Sequence, residues 1–566
     1  MKFLSGHLGY ALRDEQLQKN SRALVKYLTF LALVVALYSV AFHAIMIGIE
    51  GQDHSWITGV YWTLTVMSTL GFGDITFTSD LGRAFSILVL LSGIVLLLIV
   101  LPFAFIRYFY APWLEAQLSN RVPTAVAPDM EGHVVFIEWD VVAQEMAPRL
   151  GADGIPFVVL AEDGAAAGAL HADGVPTVRG NVDDIATFQR IRIDHARLLV
   201  LNRDDMMNTN VALTVRDVSQ SVMVVAIAES EHSVDILYLG GCDHVLPLKK
   251  ILGEQLANRV NGGHARAHVV GSYRNLLIAE FSAHGTPLVG RTLAESRLRD
   301  IAGVSVVGVW SRGQILAPRP DLELSELALP VVAGSREAID RLNEFLFIYD
   351  TNWNPVIVLG GGKVGRAAAS ALKQRSVPVH MVERNPDLAD KIGDLPDRLI
   401  IGDAADRDVM RQVGIEDAPS VLLTTNRDEA NIFLAAYTRR LSPEAQIVSR
   451  ITHDRNLPSI QRAGADLTLS YAHLGAERLL SLLHDRPPVI LGYDLAFHDI
   501  PCPEGLVDKT LSESRIGERT GLIVIGLEVG RDLITDPQGS TRLAAGSTLL
   551  VIGSDAQVER FRELYG

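Results

Sequence analysis

The chain has 566 residues and a formal net charge of −15, with 48% hydrophobic residues and a mean hydropathy of +0.22. That length suggests roughly four units of domain size, and the absence of any Lys/Arg-rich block removes the electrostatic footprint of a nucleic-acid binder. Only Cys242 and Cys502 are present, which excludes a disulfide framework or a Cys-based zinc motif and fits a reducing compartment for most of the chain.

Residues 1–22 read as an N-terminal cytoplasmic segment. Leu4, Leu8, Leu12 and Leu17 have roughly helical spacing, which fits an amphipathic helix at the membrane face or a disordered tail. No signal peptide is read, because the first apolar run is too long and lacks a small-residue cleavage site. Residues 23–110 read as a membrane pore domain. Tyr27–Ile49 and Ala84–Ile106 are each long and apolar enough to cross a hydrocarbon core as helices. Arg13, Lys19, Arg22 and Lys26 precede the first run and Arg107 follows the second, while Glu50 to Gly82 contains no Lys or Arg. The positive-inside rule then predicts a multi-pass protein of the cell (inner) membrane with both termini cytoplasmic.

Between the two runs, residues 55–69 (SWITGVYWTLTVMST) are apolar, aromatic and too short to span. They predict a short helix that dips into the membrane and returns. Thr69-Leu70-Gly71-Phe72-Gly73-Asp74 follows directly. Non-helical backbone at that depth needs a protein wall or a watery path around it. Four copies about an axis supply that wall, and consecutive carbonyls then replace an ion's water shell, with Gly71 and Gly73 tolerating the required dihedrals. Thr69 adds a hydroxyl oxygen at the inner end, and Asp74 sits at the outer mouth. The hexapeptide resembles the potassium-channel signature Thr-Val-Gly-Tyr/Phe-Gly-Asp, with Leu70 at the Val position. The resemblance implies that the Leu70 side chain points away from the pore, that Tyr61 and Trp62 form an aromatic cuff, and that K⁺ is the permeant ion. On the second span, Gly93 is a candidate hinge or a packing glycine. Leu97 and the apolar Ile99–Leu101 are candidates for a constriction that gates by dewetting. Pro102 is expected to kink or end the helix.

Residues 111–130 read as a Pro-containing linker, after which strands and helices alternate. Two stretches then repeat the same pattern. TLAESRLRDIAGVSVVGV (292–309) matches TLSESRIGERTGLIVIGL (510–527) without a gap, HVVFIEWD (133–140) parallels NPVIVLGGG (354–362), GNVDD (180–184) parallels GDAAD (402–406), and LNRDD (201–205) parallels TNRDE (425–429). Two copies of one two-part module follow: a Rossmann-like lobe over 131–265 with a β-rich lobe over 266–349, then a Rossmann lobe over 350–488 with a β-rich lobe over 489–566.

The second copy carries Gly360-x-Gly362-x-x-Gly365 after a β-branched strand and before a helix, with Lys363 and Val364 inside the turn. A following strand ends at Glu383. This is the dinucleotide fingerprint in its strand–turn–helix setting. The glycines admit phosphates to the backbone, and the helix N-terminus supplies partial positive charge. Glu383 is placed to accept from ribose hydroxyls, which favours NAD, while Arg384 beside it weakens that preference by pairing with a phosphate. Asp403, with Ala404, is placed to approach an adenine. In the first copy the three glycines become Glu138, Asp140 and Ala143, and acids at the helix entrance repel a pyrophosphate. Asp140, Glu162 and Asp183, with Asp163 and Asp184, all fall near one sheet edge. They are a candidate Ca²⁺ site, or ordinary solvated loop acids.

The duplicated module resembles the regulator of K⁺ conductance, or RCK, domain. Pore and tandem RCK modules together cover nearly the whole chain, which is similar to the two-transmembrane, ligand-gated prokaryotic potassium channels. The fold class is therefore multidomain: an α-helical two-span tetrameric pore plus two α/β Rossmann-like RCK modules, each with a small β-rich C-terminal lobe. The resemblance implies a homotetramer in the lipid bilayer, an eight-RCK gating ring, small-molecule nucleotide ligands such as NAD or ADP, Ca²⁺ as a further candidate, and no enzyme activity. Two other readings stand beside it: a membrane-tethered NAD-dependent oxidoreductase, with His453 and His473 as candidate acid–base groups, and an RCK regulatory subunit of a K⁺ transporter.

Overall fold

The computed structural model describes residues 15–110, 122–311, 314–486 and 496–566. Leu4, Leu8 and Leu12, and residues 111–121 of the expected linker, lie outside the described residues. The chain divides into two units: residues 1–125 with 161–180, and residues 126–160 with 181–566.

In the first unit an outer helix, Glu15–Ile45, runs on through a π turn, Met46–Glu50. Residues 15–22, expected to belong to a separate N-terminal segment, are part of this helix. Ser55 caps a short helix, Trp56–Met67, by accepting from the Thr58 N–H. Ser79 caps the inner helix, which runs from Asp80 to Gly93 and continues without a break to Tyr110. Two stretches, Ala23–Glu50 and Asp80–Tyr108, are long and apolar enough to cross a membrane. The helix does not end at Pro102, one of the two outcomes expected there. The π-type turns of Ile94–Val100 come first, and the Leu101 N–H donates to the Leu96 carbonyl. The hydrogen-bond register thus shifts just before the residue that has no N–H to give.

The core of this unit is aromatic. The Trp62 ring lies 5.0 Å from Phe42, 5.2 Å from Phe77 and 5.7 Å from Phe85, stacked on the last. Such pairs are worth about 0.5–1.5 kcal/mol each beyond their area, so the short helix is anchored along its middle. Glu50 ties its surroundings together from outside. Its carboxylate accepts from the Thr78 N–H at 3.1 Å and from the Ser79 N–H and Oγ at 2.8 and 2.6 Å, joining the end of the outer helix to the start of the inner one. Residues 161–180 group with this unit, where Ala161 and Ala167 pack on Val122.

The second unit holds the duplicated modules. In the second copy, six parallel strands run in the spatial order Arg398–Ile401, Val379–Glu383, Val356–Leu359, Ser420–Leu423, Gln446–Ile451, Leu467–Ser470. Helices cover both faces, so the central strands are buried along their whole length and almost entirely apolar. The order reverses at Val356–Leu359, and the crevice beyond the carboxyl ends of the strands at such a switch is where ligands bind. The first copy repeats the arrangement with Phe157–Ala161, Val134–Phe136, Leu198–Leu201, Met223–Ile227 and His244–Leu246 in parallel register.

Each module ends in an antiparallel lobe, and the two lobes agree in detail. Thr292 with Glu295 and Thr510 with Glu513 form the same capping box. Arg297 and Arg515 then hold left-handed backbone at φ 50° and 52°. One apolar core joins the copies: Leu252 and Leu256, on the helix Leu248–Ala257, pack with Val364, Ala368 and Leu372 on the helix Lys363–Gln374.

Candidate ion path and nucleotide cleft

The segment after the short helix alternates in handedness. Thr69, Gly71 and Gly73 have φ of 65°, 43° and 75°, whereas Leu70 and Phe72 are not among the positive-φ residues. Alternation of left- and right-handed residues turns successive carbonyls toward one side, the geometry that a carbonyl-lined ion path requires. Thr69 is the unexpected member, because a β-branched residue in this region is strained. The helix end holds it there. The Thr69 N–H donates to the Val66 carbonyl at 3.0 Å, and Leu70 and Gly71 N–H both donate to Thr65 at 2.9 and 3.1 Å. At the far end the Tyr61 hydroxyl donates to Asp74 at 3.1 Å.

The two uses left open for Gly93 now have different support. A Cβ there would run into the backbone of Met67, at the end of the short helix. The packing use therefore has a direct steric cause. Leu97 faces inward within its own chain, lining a cavity with Leu28, Leu31, Val35 and Leu64. Exposed apolar side chains near it on this helix include Leu91, Val95, Leu98, Ile99 and Phe103.

In the second copy, Gly360 has φ 110°, and a Cβ on Gly365 would fall on the Gly360 carbonyl oxygen. Only glycine permits that close helix–strand packing. Gly362 is the N-cap and offers no side-chain acceptor to the first-turn amides, and the space around it is open. Lys363 is exposed and Val364 buried. Glu383 is fixed by two amides: its Oε2 accepts from Gly361 N–H at 2.6 Å and its Oε1 from Asn385 N–H at 2.7 Å. Each carboxylate oxygen keeps a second lone pair for a ligand hydroxyl. Arg366 donates to the Gly361 carbonyl at 2.8 Å and Thr424 Oγ1 to the Gly360 carbonyl at 2.8 Å, which stiffens the turn. Arg384 is exposed. Asp403 accepts from the Ala405 N–H at 2.9 Å and so shapes its own turn beside Ala404.

Known proteins share this layout. An ion-channel model matches residues 29–109, a TrkA-N domain model matches 134–247 and 356–471, and a TrkA-C domain model matches 278–346 and 498–566. A solved structure described as the GsuK channel bound to NAD is 33% identical, with a TM-score of 0.58, over 96% of this chain and 99% of that one. The chain belongs to the tandem-RCK, two-span potassium channels. Potassium channel protein 1 of Methanocaldococcus jannaschii is 23% identical over 37% of this chain and 66% of its own length. A Trk system potassium uptake protein TrkA homolog of Methanosarcina mazei is 22% identical over 65% of this chain and 88% of its own. The ion-channel match to residues 29–109 places a pore and regulatory modules in one chain, which sets this channel apart from the regulatory-subunit reading.

The channel's first RCK copy is built differently at the matching turn. Asp140 stands where Gly362 stands in the second copy and caps its own helix, Val141–Ala152, by accepting from the Ala143 N–H at 2.9 Å. Burial pushes its carboxyl up to about 6, against the lowering effect of those hydrogen bonds. The amide a phosphate would take is already used. Glu138 lies 3.7 Å from Arg203.

The expected gathering of acids around Ca²⁺ is not formed. Among the described residues, the one group of three with ligand atoms within 4.8 Å of one another is Glu145, Asp454 and His473, not Asp140, Glu162 and Asp183. The reason is local. Asp140, Asp163 and Asp184 each spend a carboxylate oxygen on the N-terminus of their own helix, and Asp183 is exposed. His453 is half-exposed beside Asp428 at 3.4 Å, whereas His473 is buried.

A paired clamp is visible only in the structure. Asp205 accepts from Glu229 and Ser230 N–H at 2.7 and 3.0 Å, and Asp428 from Thr452 and His453 N–H at 2.8 and 3.0 Å. Asn208 and Asn431, three residues on, each donate to carbonyls on two sides. The repeated Asp-x-x-Asn was the available signal. It moves the match expected between LNRDD and TNRDE by one residue, because Asp205, not Asp204, is the counterpart of Asp428.

Proposed function

We propose that the channel conducts K⁺ as a homotetramer in the inner membrane, with both termini cytoplasmic and Thr69–Asp74 forming the selectivity filter. Eight RCK modules form a gating ring below it, with module boundaries near 131–265, 266–349, 350–488 and 489–566 and a linker over 111–130 that carries ring movement to the inner helix. The second-copy cleft takes NAD or ADP, and the nucleotide raises open probability. The observation that carries this reading is the uncapped turn at Gly362, with Glu383 held beside it, in the same chain as an alternating carbonyl segment. The likeness to the GsuK channel bound to NAD, at 33% identity, supports the choice of ligand.

The nucleotide acts as an allosteric effector and not as a hydride carrier. A ligand that prefers one ring shape shifts the open–closed balance by its differential affinity, about 1–3 kcal/mol of coupling per site. Single-channel recording of purified protein tests the reading, in K⁺ against Na⁺, with NAD and ADP added one at a time. The expected result is K⁺-selective current whose open probability rises with nucleotide. Open probability indifferent to both nucleotides overturns the gating part. Gly71→Ala is expected to abolish K⁺ current and to leave nucleotide binding intact. NADH turnover with a small substrate would restore the oxidoreductase reading.

A further inference from the structure

The helix that Asp140 caps carries Glu145 on its second turn. Asp454 opens a 3₁₀ turn, Asp454–Asn456, just after the strand Gln446–Ile451, and His473 lies in the first turn of the helix Tyr471–Leu483. One ligand atom from each of the three lies within 4.8 Å of the others. Glu145 belongs to the first module, and Asp454 and His473 belong to the second.

Two features separate this cluster from an ordinary patch of acids. First, His473 is only 7% exposed, and its Nδ1 lies 3.7 Å from Glu145 Oε1. The Arg149 guanidinium is 2.9 Å from that same Nδ1. Arginine can only donate, so this contact is a hydrogen bond only in the tautomer whose Nδ1 carries its lone pair, the form a metal ligand needs. Second, Asp454 Oδ2 is buried with no donor of its own, and its close neighbour is the Glu145 carboxylate; two carboxylates that close need a shared proton or a cation between them. The other oxygen, Oδ1, accepts from Ser470 Oγ, which also accepts from the His473 N–H. The ligand set thus has an outer hydrogen bond that fixes its direction.

We propose that Glu145, Asp454 and His473 bind a divalent transition-metal ion of the Zn²⁺ class, with Arg149 as the competing internal cation. One imidazole nitrogen with two carboxylates suits Zn²⁺, which takes three protein ligands and a water. It is a poor match for Ca²⁺, which wants six to eight oxygens. Arg149 contacts Glu145 at 3.4 Å and also pairs with Glu477, so it keeps a carboxylate partner when it gives up the Nδ1 contact. A bound ion ties the helix Val141–Ala152 to the helix Tyr471–Leu483, one from each module. This is a second regulatory input, through the copy whose own turn is closed to phosphate. It does not depend on the nucleotide reading.

The test uses the full-length channel in detergent, stripped with EDTA and kept free of nucleotide, and titrated calorimetrically with Zn²⁺ alone, then with Ca²⁺ and Mg²⁺. One Zn²⁺ per chain is expected, bound more tightly than either hard cation. His473→Gln and Asp454→Asn are each expected to weaken it at least tenfold, and Asp183→Asn to leave it unchanged. Arg149→Gln is expected to strengthen binding severalfold, a change that a damaged fold does not produce. Zn²⁺ binding indifferent to His473→Gln and Asp454→Asn overturns the proposal. So does weaker binding in Arg149→Gln, or Ca²⁺ bound more tightly than Zn²⁺.

Discussion

The entrances of two helices, at Val141 and at Lys363, follow matching strands in matching sheets, yet one is sealed and the other open. At the second, glycine at 362 leaves the first-turn amides without a side-chain acceptor. At the first, Asp140 supplies that acceptor from within the chain. One side chain decides whether a helix N-terminus stabilises itself or waits for an anion. Duplication preserved the frame and let the chemistry of the turn diverge.

The sharpest way to break this comparison is Gly365→Ala. Its methyl group meets the Gly360 carbonyl. Overpacking of that kind costs about 1–3 kcal/mol, so nucleotide affinity in calorimetry is expected to fall by about tenfold to a hundredfold. The reverse change at the matching site, Ala143→Gly, is expected to cost about 0.5–1 kcal/mol of helix stability and to leave nucleotide affinity unchanged. Next comes Glu383→Ala, which strips the Gly361 and Asn385 amides of their acceptor. Loss of the acceptor costs about 1–3 kcal/mol at most, since only the Gly361 bond is part-buried, and nucleotide affinity is expected to drop about tenfold, whereas Glu138→Ala leaves it alone.

Asp140→Ala is expected to remove about 0.5–2 kcal/mol of cap stabilisation, read as faster hydrogen exchange in Val141–Ala152. Its acidity gives a further check. Burial raises this carboxyl from the ordinary 3.8 to about 6. Between those values the folded state holds the proton that the unfolded chain has lost, so stability contributed by this group is full below pH 3.8 and falls as pH rises to about 6. Asp140→Asn keeps a capping oxygen and cannot ionise. The difference in stability between wild type and Asp140→Asn should therefore shift in favour of the variant across that window. No shift in the difference would mean that Asp140 titrates normally. The smallest effect concerns the C-terminal lobes, where the copies agree. Thr292→Ala and Thr510→Ala should each cost about 1 kcal/mol, with equal loss of exchange protection in the two short helices. Unequal losses would show that divergence extends beyond the turns.

Much of this was legible because it is local. The lengths of the apolar runs, the order of short helix, Gly-x-Gly segment and second run, the strand–turn–helix around Gly360 and the ungapped match at 292–309 and 510–527 all need only neighbours in sequence. Thr69 was harder to read, because its strained φ is imposed by hydrogen bonds back to Thr65 and Val66. Leu97 was hard to assign to a face for a different reason. In a membrane helix the lipid-facing and protein-facing sides are equally apolar, so no periodicity marks which face meets the outer helix. The acids near one sheet edge invited a Ca²⁺ reading, but composition does not reveal that three of them cap helices.

By itself the sequence determined what the parts are: two membrane-length helices, a carbonyl-bearing turn between them, and two copies of an α/β module of which one keeps the dinucleotide glycines. Backbone requirements and side-chain length set these, and both are written in adjacent residues. Tertiary structure alone decided how distant groups meet. It joined Glu50 to Ser79, turned Leu97 toward the outer helix, and brought Glu145 to Asp454 and His473 across more than three hundred residues. Such meetings depend on which helix faces pack, and packing follows the shape of the whole core, which no short stretch encodes.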